Sequence, residues 1–567
     1  MGSEESMEKG IPQDSQHMRK GGIRTLPFII ANEALEKVPS FALMPSMTLY
    51  LKGMFHMNIA SLHNMINYWQ AFGNLAPILA AFLADSYLGR FLTVGLGSIF
   101  SLLGMIIMWL TSILPHAKPP PCNQLAHETC KSATTGQMAI LITALVFMAI
   151  GAGGIRTNSM PFGADQLTNK SEKILESYFS WYFAAANLGI SLGLTVVVYI
   201  LQTYGWSIGF GVSTILMSLA TLSFYLASPL YIKRKAATSL FTGFAQVVSA
   251  ASKNRNLPYP STRSSYHHEK ESDVLSENLK FLNKACIIRN AEQDIGPDGL
   301  AVDPWKLCTV QKVEELKRLF KVMPIWSTTI IMSITGSQHS FPVLQASSVN
   351  RHMFGSFSIP PGSMTILVYG TIVVWLVLYD RVLIPLASKI KGKQVYLGIR
   401  VRMGIGLFFS MVAMAATAII ESVRRKRAIQ QGLLHNPTAM VNMSVYWLFP
   451  QFILLGISES FSTLGQFEFY QQEFPETMKS IGNSLFFLSL AVAHLMNNVL
   501  FNIVNKITSS GGKTSWVANN LNEAQFDKFY WLLVVFSFFN LFYYIVCSRC
   551  YGSTAEVLDQ GSDTDEE

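Results

Sequence analysis

The amino-acid sequence predicts an all-α membrane protein with twelve spanning helices in two sets of six. Three observations lead there. Hydrophobic residues fill 50% of the 567 positions and charged residues only 14%, against roughly 25% charged in soluble proteins. Apolar runs long enough to cross a hydrocarbon core, about 20 residues for about 30 Å, recur almost end to end. The basic residues fall in short clusters between those runs. A soluble chain of this length would divide into about three or four domains; the composition excludes that arrangement. The net charge of +8 reads as a set of topology determinants, and no nucleic-acid partner is expected.

The first six spans are predicted near 26–50, 62–84, 91–114, 137–160, 176–201 and 206–230, and the second six near 317–341, 362–387, 402–422, 444–470, 480–505 and 528–548. The chain then divides into a tail over 1–24, a six-helix half over 25–230, a linker over 231–316, a second half over 317–550 and an acidic tail over 551–567. The tail with Arg19, Lys20 and Arg24 precedes an apolar run that is too long for a signal peptide and lacks a small-residue cleavage site. With that tail in the cytosol, Asp85 to Arg90, Lys233-Arg-Lys235 and the loop with Lys389, Lys391, Lys393 and Arg400 also fall inside, as positive charge prefers. One cluster, Arg424-Arg-Lys-Arg427, falls outside.

The linker mixes Pro, Ser, Asn and charge and is expected to be a solvated connector too polar to form a domain. Within it, Leu240, Phe241, Phe244, Val247, Val248 and Ala251 recur at helical spacing, which suits an amphipathic helix on the inner membrane surface or against the bundle. The six cysteines form no metal-ligand cluster. Cys122 and Cys130 share a predicted external loop, where a disulfide persists.

Charge inside the spans carries the functional reading. The first span holds Glu33, Glu36 and Lys37, each costing on the order of 3 kcal/mol near mid-bilayer on insertion scales. Spaced three and four apart they share one helix side, so Glu33 can pair with Lys37 while Glu36 stays close to both. One carboxylate is left over, a candidate for reversible protonation; the competing reading is a static ion pair between helices. Pro39 follows at once and predicts a kink. Arg156 ends Gly151-Ala-Gly-Gly-Ile-Arg in the fourth span, where the glycines admit a close neighbour; it is the expected partner of the spare carboxylate. Glu459, in Gly456-Ile-Ser-Glu-Ser-Phe, lies near the middle of the tenth span without an intrahelical cation. His339 and His494 also stand in apolar segments, where a neutral histidine can equally be a satisfied core residue.

Catalytic and energy-coupling signatures are missing. Gly511-Gly-Lys-Thr514 resembles the end of a phosphate-binding loop, but Ile507 replaces its first glycine. No H-E-x-x-H, G-x-S-x-G or T-V-G-Y-G motif occurs, so an enzyme, an ATP-driven pump and a potassium channel are not expected.

Glu33-Ala-Leu-Glu36-Lys37 resembles the E-x-x-E-[R/K] motif of proton-coupled oligopeptide transporters in the major facilitator superfamily. Phe82-Leu-Ala-Asp85-Ser-Tyr-Leu-Gly89-Arg90, Gly153-Gly-Ile-Arg156 with Phe162-Gly-Ala-Asp-Gln166, and Phe474-Pro-Glu-Thr-Met478 match further family motifs in order. Leu26-Pro-Phe-Ile-Ile-Ala-Asn-Glu33, Val322-Met-Pro-Ile-Trp-Ser327 and Tyr379-Asp-Arg-Val-Leu-Ile-Pro385 resemble the plant nitrate transporter 1/peptide transporter family, in its first subfamily.

The resemblance implies two bundles rocking about a central site, with the proton as the coupling ion, no other cofactor, and Glu33, Glu36, Lys37 and Arg156 as the coupling set. It implies a cytosolic latch of Asp85 with Arg90 hinged at Gly89, and a plasma-membrane or vacuolar location. Pro39, Ser40, Phe41 and Ala42 replace the paired tyrosines and glycine of peptide carriers, which demotes peptides. Thr335 stands where a histidine accompanies nitrate recognition in part of the family, with His339 one turn on. Substrate contact is expected from Arg156, Thr335, His339 and Glu459. Nitrate or a similar small anion leads; a hormone, peptide or specialised metabolite, or a receptor that signals without transport, is the alternative.

Overall fold

The computed structural model describes residues 20–562, apart from 123–130, 168–171, 235–239, 261, 263–264, 269–274, 298, 339, 356, 393–396, 476–477 and 513. Its long helices are α1 Leu26–Met54, α2 Ile59–Leu83, α3 Arg90–Ile113, α4 Thr135–Asp165, α5 Glu172–Leu192, α6 Trp206–Leu226, α7 Leu240–Lys253, α8 Val310–Gly336, α9 Ile366–Leu378, α10 Ile399–Gln430, α11 Phe449–Glu473, α12 Lys479–Thr508 and α13 Phe526–Ser562. Ten helical segments are long and apolar enough to cross a membrane among the described residues, α9 as part of the continuous stretch Pro361–Lys391. The remaining two expected spans, α1 and α11, are 29 and 25 residues long and hold the carboxylates that dilute their apolar character. The twelve predicted spans are thus all present as helices, with α7 in the linker.

Packing divides the chain differently from the halves read in the sequence. Among the described residues, those within Met1–Ser46 and Leu79–Ala236 form one compact unit, and those within Met47–Ile78 and Ala237–Glu567 form the other. The end of α1 and most of α2 therefore pack with the second unit, not with the 25–230 half.

In the first unit, glycines bring α3 and α4 into close contact. A Cβ on Gly97 of α3 would lie 2.9 Å from the Gly151 carbonyl of α4, and one on Gly154 would lie 2.9 Å from the Thr93 carbonyl. The backbones are therefore in direct contact, the close approach that small residues permit. Beside them Phe91, Phe162, Phe224 and Tyr231 form an aromatic cluster.

The linker departs from its expected solvated state. Val247, Ala250 and Ala251 of α7 bury against Leu282, Ala285, Cys286 and Cys308, and against Val310, Val313 and Leu316 at the foot of α8. Backbone hydrogen bonds from Cys308 N to Ala285 O and from Val310 N to His267 O, each 2.9 Å, knit its strands together. The apolar face of α7 thus serves the linker's own core, while Val248 is exposed. Low average hydropathy concealed about ten apolar residues brought together from separate stretches.

The external Arg424 cluster is no loop, because α10 runs through it to Gln430. Arg424 is 0% exposed and pairs with Glu421 at 2.8 Å. It also donates to Asn522 Oδ1 and the Leu521 carbonyl, while Gln345 donates to Glu421 at 2.8 Å. A neutralised, buried guanidinium has no weight in the topology count, which removes the strongest part of the discordance.

Candidate functional site

Helix α1 carries the charged set of the first unit. Lys37 Nζ lies 2.9 Å from Glu33 Oε1 and 3.5 Å from Glu36 Oε2. Ser40 Oγ donates to Glu36 Oε1 at 2.5 Å. Glu33 and Glu36 are 3% and 0% exposed. Two carboxylates thus share one ammonium, and Glu33 Oε2 is buried with no hydrogen-bond partner among the described residues. The Tyr182 hydroxyl lies near Glu33 and Ser159.

The surroundings hold α1 in place. Asn32 donates to the Ala220 carbonyl of α6 at 2.9 Å. Gly189 of α5 sits on the motif, since a Cβ there would meet the Ala34 carbonyl at 2.5 Å and Lys37 Cβ at 3.1 Å. Pro39 does not break the helix, which continues through it and through Pro45 to Met54.

Arg156 differs from expectation. It is half-buried on α4 and near enough to Lys37 for the two cations to repel, yet it forms no ion pair within 4 Å among the described residues. Ser40 occupies the carboxylate oxygen of Glu36 that Arg156 was expected to serve. The cytosolic latch also differs: Arg90 pairs with Asp165 at the end of α4 at 2.8 Å, Arg234 joins at 3.4 Å, and Asp85 is not part of the pair. Gly89 caps α3 with φ 74°, a conformation that suits glycine.

In the second unit, Glu459 is in no ion pair among the described residues. Thr463 donates to its Oε2 at 2.6 Å, and Gly336 of α8 makes room for it, since a Cβ there would be 2.9 Å from Oε1. Thr335 is buried and its hydroxyl is engaged by the Met332 carbonyl and Ser410, each at 2.6 Å, so it is a helix-packing group. His339 lies outside the described residues. Cys122 is disulfide-bonded, and its expected partner Cys130 lies outside the described residues.

Sequence reasoning missed a polar chain between α2 and α12. His494 Nδ1 and Asn67 Oδ1 are 2.8 Å apart, Asn497 donates to Asn67, and Gln338 donates to Asn497 at 2.9 Å. His63 bonds Asn67 and stacks on Phe341 at 4.8 Å. The signal was available in His63, Asn64 and Asn67, three amide or imidazole groups within five residues of an otherwise apolar run.

A buried carboxylate pair sharing a lysine is thus the charged centre of the first unit. Comparison with known proteins decides the lineage: the model described as PTR2, POT family, matches residues 91–517. The chain belongs to the POT family. Within that family it is 48% identical over 570 residues to the Arabidopsis thaliana protein NRT1/PTR FAMILY 1.2, covering 98% of this chain and 94% of that one. It is 47% identical to NRT1/PTR FAMILY 1.1 of the same plant, covering 98% and 95%. This POT-family chain superposes on an auto-inhibited POT family peptide transporter with a TM-score of 0.68 at 19% identity, covering 93% and 97% of the two chains. It has the major facilitator fold of those transporters. It is a multi-pass membrane transporter and not an enzyme.

Proposed function

We propose that this POT-family chain is a proton-coupled symporter of a small anion, nitrate first, working by alternating access at the plasma membrane. The observation that carries the reading is the sharing of Lys37 by Glu33 and Glu36, both buried. A proton arriving from the acidic side neutralises one carboxylate, weakens its hold on Lys37, and leaves that ammonium and the nearby Arg156 to attract an anion. The sign is right for import: the gradient loads the carboxylate outside and unloads it in the cytosol. The proton is the sole coupling ion in this scheme.

Labelled nitrate uptake into proteoliposomes, with and without an inward proton gradient, tests it. Gradient-driven uptake lost in Glu36→Gln supports both anion and coupling; full gradient-driven uptake in that variant overturns the coupling. Glu459 favours a second reading, because a buried carboxylate whose partner is Thr463 would accept a hydrogen-bond donor from an organic solute. Absence of nitrate flux, with competition by a donor-bearing organic solute, selects that reading.

A further inference from the structure

An apolar groove of about 390 Å³ lies between the first turns of α10 and the last spanning turns of α13. Its volume falls in the range of small-ligand sites, roughly 300–1,000 Å³. Val401 and Phe408 of α10 and Ile545 of α13 form its walls, and all three are exposed. Gly404 forms its floor against Tyr544: a Cβ there would stand 3.2 Å from the tyrosine ring, so the missing side chain leaves an open, shallow groove.

One end of the groove is cationic. Arg400 and Arg549 both line it. Arg400 donates to the Ser548 carbonyl at 3.2 Å, and neither arginine is in an ion pair among the described residues. Their neighbour Arg402 is different, being paired with Glu468. The basic residues around 389–400 place this end of α10 and α13 in the cytosol, where the facing leaflet holds anionic lipid. A guanidinium fork matches a phosphate, and the rest of the groove offers apolar surface where acyl chains already stand.

We propose that this groove binds one anionic phospholipid of the cytosolic leaflet, its phosphate held by Arg400 and Arg549 and an acyl chain lying along Val401, Phe408 and Ile545. Exposed apolar residues alone would mark any lipid-facing surface. Here a groove coincides with two cations that are in no ion pair among the described residues.

The test is native mass spectrometry of the full chain released from nanodiscs containing equal phosphatidylcholine and phosphatidylserine. The expected result is one retained phosphatidylserine per chain. Arg549→Gln lowers the preference for the anionic lipid about fivefold, as one basic residue near the surface should, and Arg400→Gln with Arg549→Gln abolishes it. Val401→Trp, which fills the groove from an exposed position, reduces retention of both lipids. Lys389→Gln with Lys391→Gln, outside the groove, leaves retention unchanged. Equal retention of the two lipids by the unmodified protein, undiminished preference in Arg549→Gln, or equal loss in the Lys389/Lys391 variant overturns the proposal. So does a second copy of the chain, or an acyl group covalently bound at Cys550, as the occupant. Should the double arginine variant fail to fold, Arg549→Gln decides, because that side chain is exposed.

Discussion

Arg90 closes on Asp165, not on Asp85: its Nη1 stands 2.8 Å from Asp165 Oδ2, and Arg234 takes the other carboxylate oxygen at 3.4 Å. The charged loop before α3 is thereby tied to the end of α4 and to the chain leaving α6, all within the first unit. Asp165→Asn breaks two ion pairs at once. Because Arg90 and Arg234 are well exposed, screening limits the loss to about 1 kcal/mol. Thermal unfolding in detergent should show it, with Asp85→Asn nearly silent and the difference shrinking in high salt. Equal shifts for the two aspartates would contradict the assignment.

Gly189 supplies the space for the charged turn of α1. Gly189→Ala places a methyl 2.5 Å from the Ala34 carbonyl, and the backbone must move. A loss of about 1–3 kcal/mol follows, together with reduced transport, since Lys37 lies beside the same contact. Gly370→Ala in α9 meets nothing within 4 Å and should instead gain up to about 1 kcal/mol from helix propensity. Opposite signs in thermal stability check the pair.

Breaking the buried pair of the second unit should be severe. Glu421→Gln leaves Arg424, 0% exposed, without its counter-charge, and costs about 3–5 kcal/mol. Glu421→Leu with Arg424→Met removes both charges and recovers part of the loss. Recovery stays incomplete because Asn522, the Leu521 carbonyl and Gln345 lose their partners. The yield of monodisperse protein and its unfolding temperature report both effects.

Burial pushes the Cys286 thiol up to about 12 and the Cys308 thiol up to about 11, from an ordinary 9.0. Both stay protonated near neutral pH and resist maleimide, whereas the exposed Cys550 reacts first. The folded values lie above the unfolded one, so this stabilisation is complete below pH 9 and is lost as pH rises from 9 toward 11 and 12. Mass increments after labelling at pH 7.5 test the first point. A flatter alkaline limb of the stability curve in Cys286→Ala tests the second.

The sequence made Glu33, Glu36, Lys37, Arg156 and Glu459 legible because a charge in an apolar run is costly and therefore conspicuous. It placed them on spans and gave their order. It could not give partners: Ser40, a small hydroxyl, took the Glu36 contact expected of Arg156, and Asp165, 75 positions from Arg90, took the one expected of Asp85. His63, Asn67 and Asn497 escaped notice because neutral polar groups disturb hydropathy little, although together they form a chain. The linker was misjudged for a related reason. Its apolar residues are sparse along the chain and meet only after folding.

That linker core has a mechanical consequence. Its apolar residues close over Val310, Val313 and Leu316, and α8 runs unbroken from there to Gly336, about 40 Å at 1.5 Å per residue, where it makes room for Glu459. The helix is a rod with one seat in the linker core, another under the Glu459 carboxylate, and Pro324 between them. A displacement imposed at either seat must be taken up along the rod or delivered to the other end.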